Sequence, residues 1–280
     1  TLPAIEERLL SYYAPLEGSG SSLYSQLSVG DYTPKKITLS SGKEVEVNRS
    51  NWTSLEGSLE NPEDRKKVFL SLYSWYNEHK NTYGEIYNSV VQSELSERKA
   101  RGYSSILQEH LYHNKIDESV FHNLVEAANE NAEPLHKYYE IRRKYFGLDH
   151  HRSYDRFLSL AKSEKKYTYE EAKEIFFDSI KDYPEDYQKK AQDVLAEGYV
   201  DVYPRSGKRT GGYSSGSANV HPYILLNFNG DLEDVFTLAH EAGHSVHTLY
   251  SEEAQPLVKQ DYTIFVAEIA STVNEVLMLK

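Results

Sequence analysis

The chain of 280 residues carries 31 basic and 43 acidic side chains, for a formal net charge of −12. A hydrophobic fraction of 39% can fill a core, which excludes wholesale disorder, and no apolar run is long enough to span a membrane. A pI near 5.4 argues against nucleic acid as a partner. The absence of cysteine excludes disulfides, cysteine-ligated metals and thiol catalysis, and it predicts a reducing, cytoplasmic location.

The two ends of the sequence predict that this chain is a piece of a longer polypeptide. Residue 1 is threonine, and Met278 is the single methionine of the chain. The apolar helix predicted from Ala267 reaches Lys280 without a capping residue. We therefore expect further N- and C-terminal parts of the same protein.

Residues 1–198 predict a mainly α-helical body. Apolar residues recur at helical spacing over 4–13, whereas 36–48 alternates on both sides of Ser41-Gly42 and predicts a β-hairpin. Asn61 marks a helix start, after which the helical pattern continues for more than thirty residues. Further helices are predicted over 103–111, 117–146, 169–182 and 184–197.

A second domain, 199–280, is expected where the pattern changes after Gly198. A short strand is predicted over 199–203 and a longer, buried strand over 223–228. The glycine- and serine-rich residues 207–216 predict a flexible connector between them. Helices are then expected to begin at Asp231 and at Asp261.

The helix that begins at Asp231 contains the candidate catalytic motif, His240-Glu241-Ala242-Gly243-His244. Residues i and i+4 share one helix face, so both imidazoles can reach one ion. Glu241 lies about 100° around the helix from His240, close enough to reach a water on that ion without binding it. The pattern predicts one catalytic Zn²⁺ per chain, with Glu241 as general base and acid.

The surroundings of this pentapeptide support a packed helix rather than a loop. Leu238, Val246 and Leu249 form an apolar back at helical spacing. Glycine inside a helix costs about 1 kcal/mol relative to alanine. Gly243 therefore predicts the close approach of another backbone.

The third protein ligand has two candidates. His247 returns to the face of His240, but its Cα lies about 10.5 Å along the helix axis, and no glycine after His244 breaks the helix. Glu268, on the next predicted helix, completes a two-histidine, one-glutamate site without strain. We favour Glu268 and expect His247 at the cleft edge or hydrogen-bonded to a ligand.

Histidine ligands also need acceptors for their second ring N–H. Glu275, two turns after Glu268, is one candidate, although exposure to solvent is an equal alternative for it. Asp234 and Thr237 are weaker candidates. The pair His150-His151 lies in a polar linker without a companion carboxylate, and we interpret it as structural.

The strand predicted over 223–228 can offer its edge to an extended peptide, whose main chain would pair with it. Residues 211–216 are then either a loop that closes over substrate or a plain connector. On this hypothesis Tyr213, Gly216 and Tyr223 are candidate substrate-binding residues.

Residues 207–247 read GKRTGGYSSGSANVHPYILLNFNGDLEDVFTLAHEAGHSVH. This stretch resembles peptidase family M3, most closely its oligoendopeptidase F branch, and 100–105 and 111–123 are similar to it too. The resemblance implies a mainly helical, zincin-like metallopeptidase with a deep channel that admits short oligopeptides. It also implies zinc on His240, His244 and Glu268, with Glu241 as general base.

Members of that family are longer than this chain, and a later helical region supplies histidine and tyrosine side chains that bind substrate and stabilise the oxyanion. We therefore expect an incomplete cleft, and exposed apolar surface where the other parts dock. The main alternative to a zinc metalloendopeptidase is a catalytically silent or incomplete fragment that only binds zinc and peptide. A zinc hydrolase of non-peptide amides is a third interpretation.

Overall fold

The structure is a computed structural model that describes residues 2–160, 165–218 and 220–279. The chain divides into two units, Thr1–Leu160 and Ala161–Lys280. The division lies earlier than the expected one after residue 198, because the two helices before Gly198 pack with the helix of the candidate site. Lys280, the expected end of the last helix, lies outside the described residues. Within the described ranges, every helix is too short or too polar to span a membrane.

The first unit combines α-helices with a β-hairpin. Its α-helices are, in chain order, α1 (Ala4–Ser11), α2 (Ala14–Glu17), α3 (Ser19–Ser25), α4 (Trp52–Ser58), α5 (Pro62–Glu78), α6 (Lys80–Arg101), α7 (Ile106–Asn114), α8 (Glu118–Glu130) and α9 (Ala132–Tyr145). A π-helical turn spans Gln26–Gly30, and a 3₁₀ turn spans Ser153–Asp155. Strands β1 (Lys35–Thr38) and β2 (Glu44–Val47) pair antiparallel, which confirms the predicted hairpin.

The segment predicted as one helix over 117–146 forms two, α8 and α9, which meet at Asn131. The backbone of Asn131 leaves the helical region (φ −104°, ψ 22°), and its side-chain amide donates to the Ala127 carbonyl at 2.8 Å. Asparagine side chains compete with the helix backbone for hydrogen bonds, which favours a break at this position. Asn61, by contrast, caps α5 as predicted, since its side chain accepts the Glu63 N–H.

The second unit contains α10 (Tyr169–Ser179), α11 (Glu185–Val194), β3 (Val200–Asp201), β4 (Tyr213–Ser217), β5 (Val220–Leu225), α12 (Leu232–Ala254) and α13 (Ile264–Met278). The strands form one sheet in the order β3-β5-β4, with β5 parallel to β3 and antiparallel to β4. Apolar side chains from the helices and the sheet fill a common core. Its large, fully buried members include Phe176, Ile180, Val194, Ile224, Leu226 and Leu238.

The prediction of a flexible connector over 207–216 is wrong for the last residues of this range, where the edge strand β4 begins. Every second residue from Gly212 to Gly216 lies against α12. A Cβ at Gly212 or at Gly216 would lie 2.8 or 2.9 Å from a threonine methyl of α12. Between them, the Ser214 hydroxyl lies 2.8 Å from the Ser245 hydroxyl. Glycine has low strand propensity, so the close fit of small residues on α12 favours this strand where local propensity does not.

The expectation that 223–228 offers a free strand edge is also wrong. The observed strand β5 runs from Val220 to Leu225 and lies in the centre of the sheet. Its Ile224 N–H donates to the Tyr199 carbonyl on the β3 side, and β4 pairs along the other side. Among the described strands, the free edge beside α12 therefore belongs to β4.

Candidate metal centre

Helix α12 is firmly seated at its start and along its back. The carboxylate of Asp234 accepts the Asp231 N–H at 2.9 Å and the Asn229 N–H at 2.8 Å, which caps the helix. Leu238 and Val246 are 0% and 1% exposed and form the apolar back that the sequence predicts. Because Asp234 caps the helix, it does not act as an acceptor for a histidine.

Three side chains converge on the opposite face. His240 and His244 turn their Nε2 atoms toward each other at 3.1 Å. From α13, Glu268 brings its Oε2 to 3.4 Å from the His240 Nε2 and 3.7 Å from the His244 Nε2. One ligand atom from each residue lies within 4.8 Å of the other two. Two imidazole nitrogens and one carboxylate oxygen are a donor set that suits zinc, so the group can hold a metal ion.

Gly243 allows α13 to approach this closely. A Cβ at residue 243 would lie 2.9 Å from three atoms of α13, the Ala270 carbonyl oxygen, the Asn274 Nδ2 and the Ser271 Cα. Side-chain carbons essentially never come so near to backbone atoms, so any larger residue would push α13 away. This is the close backbone approach that a glycine inside the helix predicts.

Glu275 accepts a hydrogen bond from the Nδ1 of His240 at 2.5 Å. A carboxylate partner at Nδ1 favours the tautomer with the proton on Nδ1, which directs the Nε2 lone pair toward a metal. The candidate acceptor Glu275 is therefore in contact with His240. Thr237 is not, because its hydroxyl donates to the Glu233 carbonyl within α12.

Glu241 lies beside this group and is 6% exposed. One carboxylate oxygen bonds the backbone N–H of Ser214, while Oε2 has no hydrogen-bond partner among the described residues. Burial raises the pKa of Glu241 to about 7, against the opposing effects of His240 and the Ser214 hydrogen bond. A buried carboxyl with one free oxygen and a pKa near neutrality can both take and release a proton.

Comparison with known proteins agrees with this geometry. The model of peptidase family M3 matches residues 57–280. The chain belongs to peptidase family M3. It is 37% identical over 274 residues to Oligopeptidase PepF of Bacillus subtilis, covering 98% of this chain and 41% of that protein. Group B oligopeptidase PepB of Streptococcus agalactiae is 33% identical over 270 residues, 96% of this chain and 45% of its own length.

The fold agrees with solved structures of M3 peptidases. The crystal structure of oligoendopeptidase-F from Enterococcus faecium superposes with a TM-score of 0.64 and 26% identity. That match covers 99% of this chain and 42% of the other. The chain thus spans less than half the length of these relatives.

In this M3 chain His247 stands apart from the three converging side chains. Its ring stacks on Tyr262 with 3.9 Å between ring centroids, and burial lowers its pKa. The Tyr262 hydroxyl in turn lies 2.7 Å from the Thr248 hydroxyl. The contact holds the segment before α13 against α12, and His247 is not among the residues that line the cleft beside the three side chains.

His240, His244 and Glu268 line a cleft of about 760 Å³ between β4, α12 and the start of α13. Tyr213 and Gly216, two of the candidate substrate-binding residues, line this cleft. Tyr223 does not line the cleft but an adjoining depression of about 520 Å³, which shares Tyr213 and Ser215 with the cleft. Side chains alternate between the faces of a strand, so Tyr223 and its pairing partner Ser215 lie on the face opposite the buried Ile224.

Two buried polar residues of α13 were not predicted as part of the site. Ser271 and Asn274 are both 0% exposed. Asn274 donates to the Ala239 carbonyl at 3.2 Å and accepts from the Tyr187 hydroxyl at 2.7 Å, which ties α13 to α12 and α11. Ser271 follows Glu268 by three residues and Asn274 follows Ser271 by three, and this spacing of neighbours on a helix surface is the signal that could have revealed them.

Of the pair His150-His151, His151 packs within the first unit. His151 accepts from the Arg142 guanidinium at 3.4 Å, and burial lowers its pKa. Arg142 also donates to three backbone carbonyls of the following segment, at 2.6 to 3.3 Å. The contacts of His151 therefore belong to the packing of the first unit.

Proposed function

We propose that this M3 protein is a zinc metalloendopeptidase that hydrolyses oligopeptides. The main observation behind the proposal is that ligand atoms of His240, His244 and Glu268 lie within 4.8 Å of one another. Beside them lies the buried carboxyl of Glu241, whose Oε2 has no hydrogen-bond partner among the described residues. The names of the relatives, Oligopeptidase PepF and Group B oligopeptidase PepB, support a peptide substrate. One zinc ion per chain would be held by those three residues.

A bound zinc would polarise the scissile carbonyl and make a water more acidic. In the proposed mechanism, Glu241 Oε2 takes a proton from the attacking water and passes it to the leaving amine nitrogen as the C–N bond breaks. The Ser214 N–H holds the other carboxylate oxygen and so aims Oε2. Glu275 keeps the His240 proton on Nδ1, which orients that ring.

Substrate would lie along the free edge of β4, which lines the cleft beside Glu241. Pairing with a strand edge holds a peptide by its main chain and tolerates many side chains. Tyr213 and Gly216 are the proposed contacts on this strand, Tyr213 for a substrate side chain and Gly216 for the backbone. Tyr223 is a weaker candidate, because it lines the adjoining depression, which it shares with Tyr213, and not the cleft itself.

Further parts of the same enzyme are proposed to complete the cleft. Two features support this: the relatives are more than twice as long as the matched region, and α13 leaves large apolar side chains exposed. Phe265, Ile269 and Val276 are 63%, 56% and 61% exposed. Contiguous apolar surface of this kind is typical of a docking face. A cytoplasmic location, suggested by the cysteine-free sequence, completes the proposal.

The test combines metal analysis with hydrolysis of a quenched fluorescent oligopeptide. We expect one zinc per chain, and we expect Glu241→Gln to retain zinc while losing about 10²–10⁴-fold in turnover. Glu233→Gln, an exposed change on the same helix, is the matched control and should leave both unchanged. Zinc without turnover in the unaltered chain would favour the incomplete, binding-only module. A folded chain that binds no zinc would overturn the proposal.

A further inference from the structure

Ser271 contacts the carboxylate of Glu268. Its hydroxyl lies 2.9 Å from Glu268 Oε2 and 3.2 Å from the Glu268 carbonyl oxygen. A buried serine in a helix commonly satisfies itself on a carbonyl of the preceding turn. Here the carboxylate is the nearer acceptor, and hydrogen bonds to ionised groups are the stronger ones.

The oxygen that Ser271 contacts is the one that faces the histidines. Glu268 Oε2 lies 3.4 and 3.7 Å from the two Nε2 atoms, so a single oxygen joins the hydroxyl to the candidate metal position. The Glu268 side chain is 48% exposed, whereas the His240 and His244 side chains are 24% and 16% exposed. A half-exposed glutamate retains much rotamer freedom, which metal binding would have to remove.

Ser271 itself is firmly placed. It is 0% exposed, and its Cα packs against the position where Gly243 lacks a side chain. The next residue, Thr272, is exposed and directs its hydroxyl to backbone carbonyls of α13 instead. Two neighbouring hydroxyls on one helix thus differ in the property that matters, contact with the carboxylate.

We propose that Ser271 is a positioning residue that holds the Glu268 carboxylate in its metal-binding orientation and thereby sets the metal affinity of the site. The inference rests on the proposed function, because it takes Glu268 as the third ligand. It assigns to Ser271 no contact with substrate. Hydrogen-bonding partners of ligands typically change metal affinity by about 10–100-fold when removed.

The experiment measures zinc affinity of the 280-residue chain by competition with a chromophoric chelator. Ser271→Ala is expected to bind zinc about 10–100-fold more weakly. Ser271→Cys, with a weaker donor of similar size, should show an intermediate loss. Thr272→Ala is the matched control, because it removes a hydroxyl from the same helix without touching the carboxylate, and its affinity should stay within about twofold of the unaltered chain.

A double-mutant cycle separates positioning from general packing. If Ser271 acts through Glu268, Ser271→Ala should cause no further loss in a Glu268→Ala background. An equal loss in both backgrounds, or no loss from Ser271→Ala alone while Glu268→Ala binds weakly, would overturn the inference and leave the proposed ligands intact. Unchanged affinity in Glu268→Ala would overturn the ligand assignment, and this inference with it.

Discussion

Gly243 of α12 and Ser271 of α13 meet so closely that a Cβ on residue 243 would lie 2.9 Å from the Ser271 Cα. This contact sets the distance between the helix that carries two candidate ligands and the helix that carries the third. A glycine that is unfavourable for the helix alone is thus required by the pairing of the two helices.

Gly243→Ala should therefore weaken the site although alanine is the better helix former. We expect α13 to shift, at a cost of about 1–3 kcal/mol in the free energy of unfolding, together with weaker zinc binding. Gly84→Ala is the matched control, since Gly84 lies within α6 with open space around it. That change should stabilise the chain by up to about 1 kcal/mol. Urea unfolding of both variants checks the prediction, which fails if Gly243→Ala is also stabilising.

Replacing Glu275 should lower metal affinity in graded steps. Glu275→Ala removes the acceptor for His240 Nδ1, and zinc binding should weaken about 10–100-fold. Glu275→Gln keeps a carbonyl acceptor without the charge, so its loss should be smaller. Chelator competition measures both, and equal affinities in the two variants would show that the hydrogen bond has no role of its own.

The packing of β4 on α12 predicts a compensating pair. A Cβ on residue 216 would meet the Thr248 methyl at 2.9 Å, so Gly216→Ala should cost about 1–3 kcal/mol of stability and raise the KM for peptide. Thr248→Ser removes that methyl but keeps the hydroxyl that contacts Tyr262. The double variant should recover most of the loss in thermal unfolding and in KM. No recovery would mean that the methyl contact is not the cause.

The first unit should lose stability as pH rises, because of Glu56. This residue is 0% exposed, neither of its oxygens has a hydrogen-bond partner among the described residues, and burial raises its pKa to about 8 against the opposing charge of Arg156. Its ordinary pKa of 4.5 applies in the unfolded chain. The folded chain therefore binds more protons between these values, so the stabilisation is present below pH 4.5 and is lost as pH rises through 8.

Glu56→Gln should flatten this dependence, because an amide does not titrate in that range. Urea unfolding at several pH values between 4.5 and 8 measures the slope. The exposed Glu85→Gln serves as the control and should leave the slope unchanged. A Glu56→Gln chain with the same slope as the unaltered chain would contradict the prediction.

Local patterns were enough for those features that depend on residues close in sequence. The spacing of His240 and His244 places them on one helix face whatever surrounds them, and the hairpin around Ser41-Gly42 follows from alternation and a turn. The cap at Asn61 is likewise a local hydrogen bond. These features needed no knowledge of tertiary packing.

Features that join distant segments depend on tertiary packing. Residues 213–217 form a strand because small side chains fit against α12, although glycine alone would favour a connector. Tyr223 lies on β5 in the middle of the sheet and lines the depression beside the cleft, which depends on strand order. Spacing along the chain was enough to place His240 and His244 on one face of α12, with Glu241 about 100° around the helix. Only the packing of α13 on Gly243 brought Glu268, Ser271 and Glu275 to them, since contacts between helices depend on close fit and not on spacing along the chain.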